Sequence, residues 1–169
     1  MDELIKFLGL SELFKDIHPK DLEAIASIID RDDFGVNDDV FGEDDLGDNL
    51  YILYSGRIQI IMKAVWRKKN EEMIQMIQPG EIFGEFSFID GCRRSASAVS
   101  VEKSRVLILS KAKFDKFSID KPTVALTIMQ NFAWILTQKI RNTTMLWRND
   151  KMKIEKLGRM KKKSRHDAD

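Results

Sequence analysis

The residues with the most evident chemistry lie between Pro79 and Val99, in the stretch PGEIFGEFSFIDGCRRSASAV. Gly84 opens a run that can form a short helix, and glycine lets backbone amides approach a ligand closely. Amides at the start of a helix favour a bound anion. Glu85 can accept hydrogen bonds from sugar hydroxyls, and Arg94 can pair with a phosphate. Together these residue types suit a ligand that carries both a ribose and a phosphate.

Other kinds of chemistry find little support in the sequence. The single cysteine, Cys92, excludes a disulfide framework and a zinc site built on paired cysteines. With only His18 and His166, a His-rich metal site is disfavoured, and we expect no metal. No Gly-x-Ser-x-Gly, P-loop or His-Glu-x-x-His motif occurs, so the sequence predicts no enzyme. Cys92 lies beside two arginines, which leaves open an incidental thiol or a redox sensor.

The elements that would position these residues follow from the hydrophobic pattern. Residues 1–30 predict helices, because apolar residues recur there at helical spacing. Residues 31–109 hold short apolar runs broken by Gly, Asp and Asn, which is typical of strands joined by turns. Ser55-Gly56 is predicted as one such turn, and Trp66 to Glu72 as a charged hairpin loop before a strand over Met73–Ile77. The pattern predicts an α+β fold: a small antiparallel β-barrel or jelly roll flanked by an N-terminal helical bundle and a long C-terminal helix.

The C-terminal part, residues 110–148, predicts two further helices. Ser110 suits an N-cap, and a second helix is predicted from Pro122 to about Arg148. Such a helix spans about 40 Å, so its far half must pack against a second copy, a partner or solvent. Residues 149–169 predict a fraying helix end and then a disordered basic tail. The long helix carries a mostly apolar stripe of residues spaced three or four positions apart. These residues are Met129, Phe132, Leu136, Ile140, Thr143 and Trp147.

Composition and charge limit the location and the partners. Apolar residues make up 43% and charged residues 33%, typical of a globular domain with a sizeable core. No apolar run is long enough to span a membrane and no secretory signal is visible, so we expect a cytoplasmic protein. Residues 1–147 hold 19 Lys/Arg against 23 Asp/Glu, whereas residues 148–169 hold 9 against 4. The body therefore has no overall attraction for nucleic acid, while the tail could bind nucleic acid or an acidic partner.

Three separated blocks resemble the cyclic-nucleotide-binding domain shared by the bacterial catabolite activator protein, the protein kinase A regulatory subunits and cyclic-nucleotide-gated channels. Gly84-Glu85 with Arg94-Ser95-Ala96 is similar to the phosphate-binding cassette of that family, at the family's spacing. The pattern FxExDxGDxLYI from Phe41, followed by Ser55-Gly56, resembles its first barrel strands. The Pro122 helix, with KIRNT at 139–143, resembles its lid or C-helix. The resemblance covers about residues 5–145.

The resemblance implies roles for individual residues. Glu85 would hold the ribose 2′-hydroxyl, and Arg94 would pair with the cyclic phosphate, within a cassette at residues 84–95. Arg93 stands where the family often has proline, which adds charge and changes the stiffness of the loop. Backbone or hydroxyl contacts to phosphate and sugar are implied for Gly84, Phe86 and Ser95, and Ala96 completes the cassette motif. The C-helix would cover the base, with Arg141, Thr143 and Thr144 as candidates.

The resemblance implies a non-catalytic receptor for cAMP or cGMP that signals through its C-helix to an unknown effector, with a homodimer seam on that helix. Ser95, after the phosphate arginine, favours cAMP over cGMP, and cyclic di-GMP stays open. Family transcription factors carry a helix-turn-helix domain after the C-helix, where this chain has a short basic tail, so DNA binding of that kind is disfavoured. Three alternatives remain: a ligand-free interaction scaffold, nucleic-acid binding by the tail, and a surface ion pair between Arg94 and Glu85.

Overall fold

The protein is described by a computed structural model, which covers residues 2–63 and 71–166. It forms two compact units, Met1–Asn131 and Phe132–Asp169. The first unit contains the sheet and the helices around it, and the second contains the remainder of the last helix. No helix in the described ranges combines the length and the apolar character that crossing a membrane requires.

The chain begins with the helices that its pattern predicts. Helix α1 spans Asp2–Leu10, a 3₁₀ turn spans Glu12–Phe14, and α2 spans Pro19–Ile28. Pro19 occupies the first turn of α2, where its missing N–H costs nothing. His18 precedes it as the N-cap, and its ring nitrogen accepts a hydrogen bond from the Lys20 amide. His18 therefore has a structural role at this helix start.

Six antiparallel strands form the sheet that carries the site. They are β1 (Asp30–Phe34), β2 (Asp39–Phe41), β3 (Asn49–Lys63), β4 (Glu71–Ile77), β5 (Ile82–Phe83) and β6 (Ser97–Ser110). The path runs β1-β6-β3-β4, with β2 on β6 and β5 on β3. This confirms the α+β prediction, with an antiparallel sheet compatible with a jelly roll. The core inside it comprises Tyr51, Leu53, Ile58, Ile77, Phe83, Ala98 and Val106.

Two long strands replace the shorter ones that the sequence predicts. Ser55-Gly56 was predicted as a turn, but it lies inside β3 as an irregularity where the register with β6 shifts. Gly56 has a φ of 91°, so the chain bends there and the ladder resumes, as in a β-bulge. Strand β1 was not predicted, because its sequence DRDDF is mostly exposed and polar. Most of the predicted loop Trp66–Glu72 lies outside the described residues, and its last two residues begin β4.

Three helices complete the fold. Helix α3 spans Glu85–Asp90, and α4 spans Lys111–Asp120 with Ser110 as the predicted N-cap, its hydroxyl accepting from the Lys113 amide. Helix α5 begins at Pro122 as predicted and continues to His166, beyond the predicted end near Arg148. The sequence predicted a fraying helix end and then a disordered basic tail over residues 149–169, whereas the helix continues to His166; residues 149–166 are rich in Lys and Arg, which favour helix.

Candidate functional site

The turn from β5 into α3 is built around Gly84. Gly84 adopts a left-handed conformation, with φ 71° and ψ 19°, immediately before α3. A Cβ atom at this position would lie 2.8 Å from Nη1 of Arg94 and 3.0 Å from Cδ2 of Tyr51. Both the backbone conformation and the close approach therefore require glycine. The packing of Arg94 against this backbone sets the geometry of the site.

Arg94 lies beneath this turn, and its side chain is held by neutral acceptors. The residue is only 4% exposed. Its Nη1 donates to the Gly84 carbonyl at 2.8 Å and to the Ser87 hydroxyl at 2.6 Å. Its Nη2 donates to the Asn49 carbonyl at 3.0 Å. The guanidinium also lies 4.4 Å from the ring centre of Phe41, a cation–π contact.

The three hydrogen-bond acceptors of Arg94 described above carry no charge. Burial lowers the pKa of Arg94, while Tyr51, Asp48 and Asp45 act in the opposite direction. Arginine stays protonated in proteins, so the site holds a buried positive charge. Burying a charge that is not paired is costly, and an anion from outside would compensate it.

Arg94 also keeps hydrogen-bond donors for such an anion. A guanidinium carries five N–H groups, and the three bonds above leave one on Nε and one on Nη2 within the described residues. This edge faces Gly47, where a Cβ would lie 3.2 Å from Nη2 and 3.5 Å from Nε. Two adjacent N–H groups are the pattern that binds two oxygens of a phosphate.

A second connection fastens the loop around Arg94. The backbones of Arg94 and the Asp44-Asp45 turn exchange two hydrogen bonds, at 2.9 and 3.0 Å. The exposed Arg93 donates from its own guanidinium to the Asp44 carbonyl at 2.7 Å. The Arg93 side chain therefore ties the loop to the Asp44-Asp45 turn. The Arg93 guanidinium binds the Asp44 carbonyl, whereas the Arg94 guanidinium lies in the site.

The remaining predicted site residues fall into three environments. Glu85 is the first residue of α3 and only 8% exposed, so it is buried like Arg94 and does not lie on the surface. Phe86 and Ser95 are exposed, and Ala96 is buried. The structure thus brings Gly84, Glu85 and Arg94 into one region of the first unit. The lid candidates Arg141, Thr143 and Thr144 lie exposed on α5 in the second unit and stay predictions.

Sequence reasoning assigned no role to four residues around Arg94. Asn49 is 45 positions away and acts through its backbone, so its residue type gave no signal. Phe41 and Gly47 lie in the sequence block that resembles the first barrel strands, so the sequence predicted strand structure for them and no contact with Arg94. Ser87 could have been recognised from the sequence, because it is a small polar residue between Phe86 and Phe88 in an apolar run.

Redox and metal chemistry gain no further support. Cys92 is exposed, and its backbone amide donates to the Asp90 carboxylate at 2.8 Å. The two arginines that follow Cys92 in sequence direct their guanidinium groups to other partners, as described above. Over residues 2–63 and 71–166, no cluster of three or more His, Cys, Asp or Glu side chains could hold a metal ion.

Comparison with known proteins points to one family. The family model for the cyclic nucleotide-binding domain matches residues 31–120, which is just over half of the chain. The chain is 30% identical over 135 residues to the cyclic AMP receptor protein of Thermus thermophilus, covering 80% of this chain and 60% of that protein. It is 26% identical over 143 residues to a CRP-like cAMP-activated global transcriptional regulator of Mycobacterium tuberculosis, covering 85% and 60%.

A solved structure shows the same fold. The cyclic nucleotide-binding domain from Methylobacillus flagellatus superposes with a TM-score of 0.75 at 23% identity, covering 83% of this chain and 78% of that one. The chain spans about 60% of the length of the two curated relatives.

Proposed function

The chain belongs to the cyclic nucleotide-binding domain family, and we propose that it is a receptor for a cyclic mononucleotide, cAMP rather than cGMP. The observation that carries this proposal is the buried guanidinium of Arg94, which has neutral partners and two N–H groups left for an anion. A cyclic phosphate would supply the missing negative charge. The role is regulatory, without a catalytic step.

The surrounding residues suit the remainder of the ligand. Glu85 lies at the start of α3, next to the Gly84 turn, and its carboxylate would accept from the ribose 2′-hydroxyl. Gly84, Phe86, Ser95 and Ala96 would contribute backbone contacts, and the exposed Ser95 also offers a hydroxyl. Two curated relatives carry cAMP in their names, which supports cAMP over cGMP.

Helix α3 offers a route from the ligand to the rest of the first unit. Phe88 is buried, and its ring lies 5.7 Å from that of Phe114 on α4, at 59°. Beside this contact is a groove of about 490 Å³, which Ile89 of α3 and Leu126 of α5 also line. The groove therefore lies where α3, α4 and the start of α5 meet. A shift of α3 on ligand binding requires that the ligand prefers one position of this helix.

The output of this shift would pass through α5 to an effector protein, and a second copy of the chain would pair through the same helix. Arg141, Thr143 and Thr144 would be the lid over the base, as the family resemblance implies.

The test is calorimetric titration with cAMP and with cGMP, on the wild-type protein and on Arg94→Ala. We expect binding to cAMP that Arg94→Ala weakens by about tens- to thousands-fold, since losing a buried charged partner costs about 2–5 kcal/mol. Arg57→Ala is the control, because Arg57 is half exposed and only 3.9 Å from Glu102, in a weak surface pair.

The outcomes separate the hypotheses. An unchanged dissociation constant in Arg94→Ala would show that Arg94 does not hold the phosphate. A folded wild-type protein that binds neither nucleotide would favour the ligand-free scaffold of the same fold.

A further inference from the structure

Ser87 is the residue of α3 whose side chain meets Arg94. It is 2% exposed, and its hydroxyl accepts from Nη1 of Arg94 at 2.6 Å. Both groups are buried, so this hydrogen bond to a charged donor is shielded from water. The other two acceptors of the guanidinium are backbone carbonyls, of Gly84 and Asn49. Ser87 therefore gives Arg94 a side-chain acceptor, in addition to the two backbone carbonyls.

We propose that Ser87 is a positioning residue that holds Arg94 ready for the phosphate before the ligand arrives. This inference rests on the proposed function, because the phosphate is the group for which Arg94 is held. No ligand contact is assigned to the Ser87 side chain itself.

The need for such a residue follows from the charge of Arg94. A buried guanidinium gains solvation free energy by turning out into water. Arginine has many rotamers, so each fixed acceptor reduces the number of alternatives. Without the Ser87 hydroxyl, a smaller fraction of molecules would hold Arg94 inside. The apparent affinity falls in proportion to that fraction.

The position of Ser87 also links the phosphate site to α3. The next residue, Phe88, packs on Phe114 of α4, whereas Ser87 bonds to Arg94. Two consecutive residues of α3 thus contact the site and the neighbouring helix. A movement of α3 relative to Arg94 therefore changes the distance between the Ser87 hydroxyl and the guanidinium.

The first experiment is titration of Ser87→Ala with cAMP. We expect the dissociation constant to rise about tenfold or more, as hydrogen bonds to charged groups contribute about 1.5–3 kcal/mol. Alanine is the best helix former, so α3 should be retained. Ser100→Ala is the matched control, since Ser100 is a fully buried serine whose hydroxyl bonds to the Glu102 carbonyl in β6. The dissociation constant of Ser100→Ala for cAMP should stay within about twofold of the wild-type value. That change is far smaller than the change expected from losing a hydrogen bond to a charged group.

A second measurement follows Arg94 itself in the ligand-free protein. In ¹⁵N-labelled protein the held guanidinium should give distinct, slowly exchanging Nη signals, identified by their absence in Arg94→Ala. These signals should broaden or merge in Ser87→Ala and persist in Ser100→Ala. A role of Ser87 in packing alone would leave them unchanged.

Ser87→Cys is the second variant, in case Ser87→Ala does not fold. Its thiol keeps a polar group at this position but is larger than the hydroxyl and a weak acceptor, so it should weaken binding and alter the Nη signals in the same way. Wild-type affinity together with wild-type Nη signals in either folded variant would overturn the proposal. If the wild-type protein binds neither nucleotide, the proposed function fails, and the Nη signals still decide whether Ser87 holds Arg94.

Discussion

Arg94 combines a full positive charge, nearly complete burial and partners that are all uncharged. A structural arginine in a folded core is normally paired with a carboxylate, because an unpaired buried charge destabilises the fold. A buried charge of this kind suits a site for an external anion, which would compensate it. Individual side chains therefore indicate the function more directly than the fold does.

Gly84→Ala tests the close approach at this site. We expect a loss of about 2 kcal/mol or more of unfolding free energy, because the left-handed backbone is strained with a Cβ and that atom would collide with Arg94. Binding of cAMP should weaken at least about tenfold as Nη1 is displaced. Urea unfolding and calorimetry measure the two effects.

Gly91→Ala is the control for that substitution. Gly91 has a φ of 68°, close to that of Gly84, but a Cβ there would meet nothing within 4 Å. It should show only the backbone cost of about 1–2 kcal/mol and leave the affinity for cAMP unchanged. Equal effects of the two substitutions on affinity would refute the packing argument.

At the scale of secondary structure, two short features stand beside the long strands: helix α3 and the irregularity at Ser55-Gly56 in β3. Helix α3 has only six residues, yet its Ser87 hydroxyl bonds to Arg94 and its Phe88 ring packs on Phe114 of α4. The irregularity at Ser55-Gly56 lets β3 continue through 15 residues while its register with β6 changes. The hydroxyl of Ser104 fills this irregularity, bonding to the amide and the carbonyl of Arg57.

Gly56→Ala tests whether this irregularity is fixed by packing. A Cβ would lie 2.5 Å from Cα of Ser104 and 2.6 Å from the Lys103 carbonyl, so backbone would have to move. We expect a loss of about 3 kcal/mol or more, measured by chemical denaturation. Gly80→Ala has nearly the same φ, 90° against 91°, with open space around its Cβ. A loss in Gly56→Ala no greater than in this control would contradict the prediction.

At the scale of the whole molecule, the second unit consists of α5 residues with much apolar surface. Ile140, Trp147 and Ile154 recur every seven residues, and each is at least 65% exposed. Side chains at this spacing lie on one face of a helix, as in a coiled-coil seam. The predicted homodimer would use this face.

Sedimentation equilibrium tests the homodimer. At tens of micromolar we expect twice the 19.6 kDa mass of the chain, and Trp147→Glu should give monomer, because a charge on the seam opposes association. Met145→Glu is the control: Met145 is equally exposed but lies on nearly the opposite face of α5. Wild-type monomer at high micromolar concentration would rule out the seam.

Local chemistry determined much of this protein without tertiary information. Helix starts at Pro19, Ser110 and Pro122 follow from the missing N–H of proline and the capping hydroxyl of serine, and the structure has them there. The residue types at Gly84, Glu85 and Arg94 indicated a sugar-phosphate ligand, because glycine, carboxylate and guanidinium have distinct hydrogen-bonding chemistry.

Tertiary structure alone decided what surrounds Arg94. Its contacts with Asn49 and Phe41 join residues about fifty positions apart, which no local pattern encodes. The continuity of β3 through Gly56 was likewise hidden, because glycine marks a turn in sequence but a register shift once β6 lies alongside. Burial decides whether Arg94 is a surface charge or a binding group, and burial is a property of the packed chain.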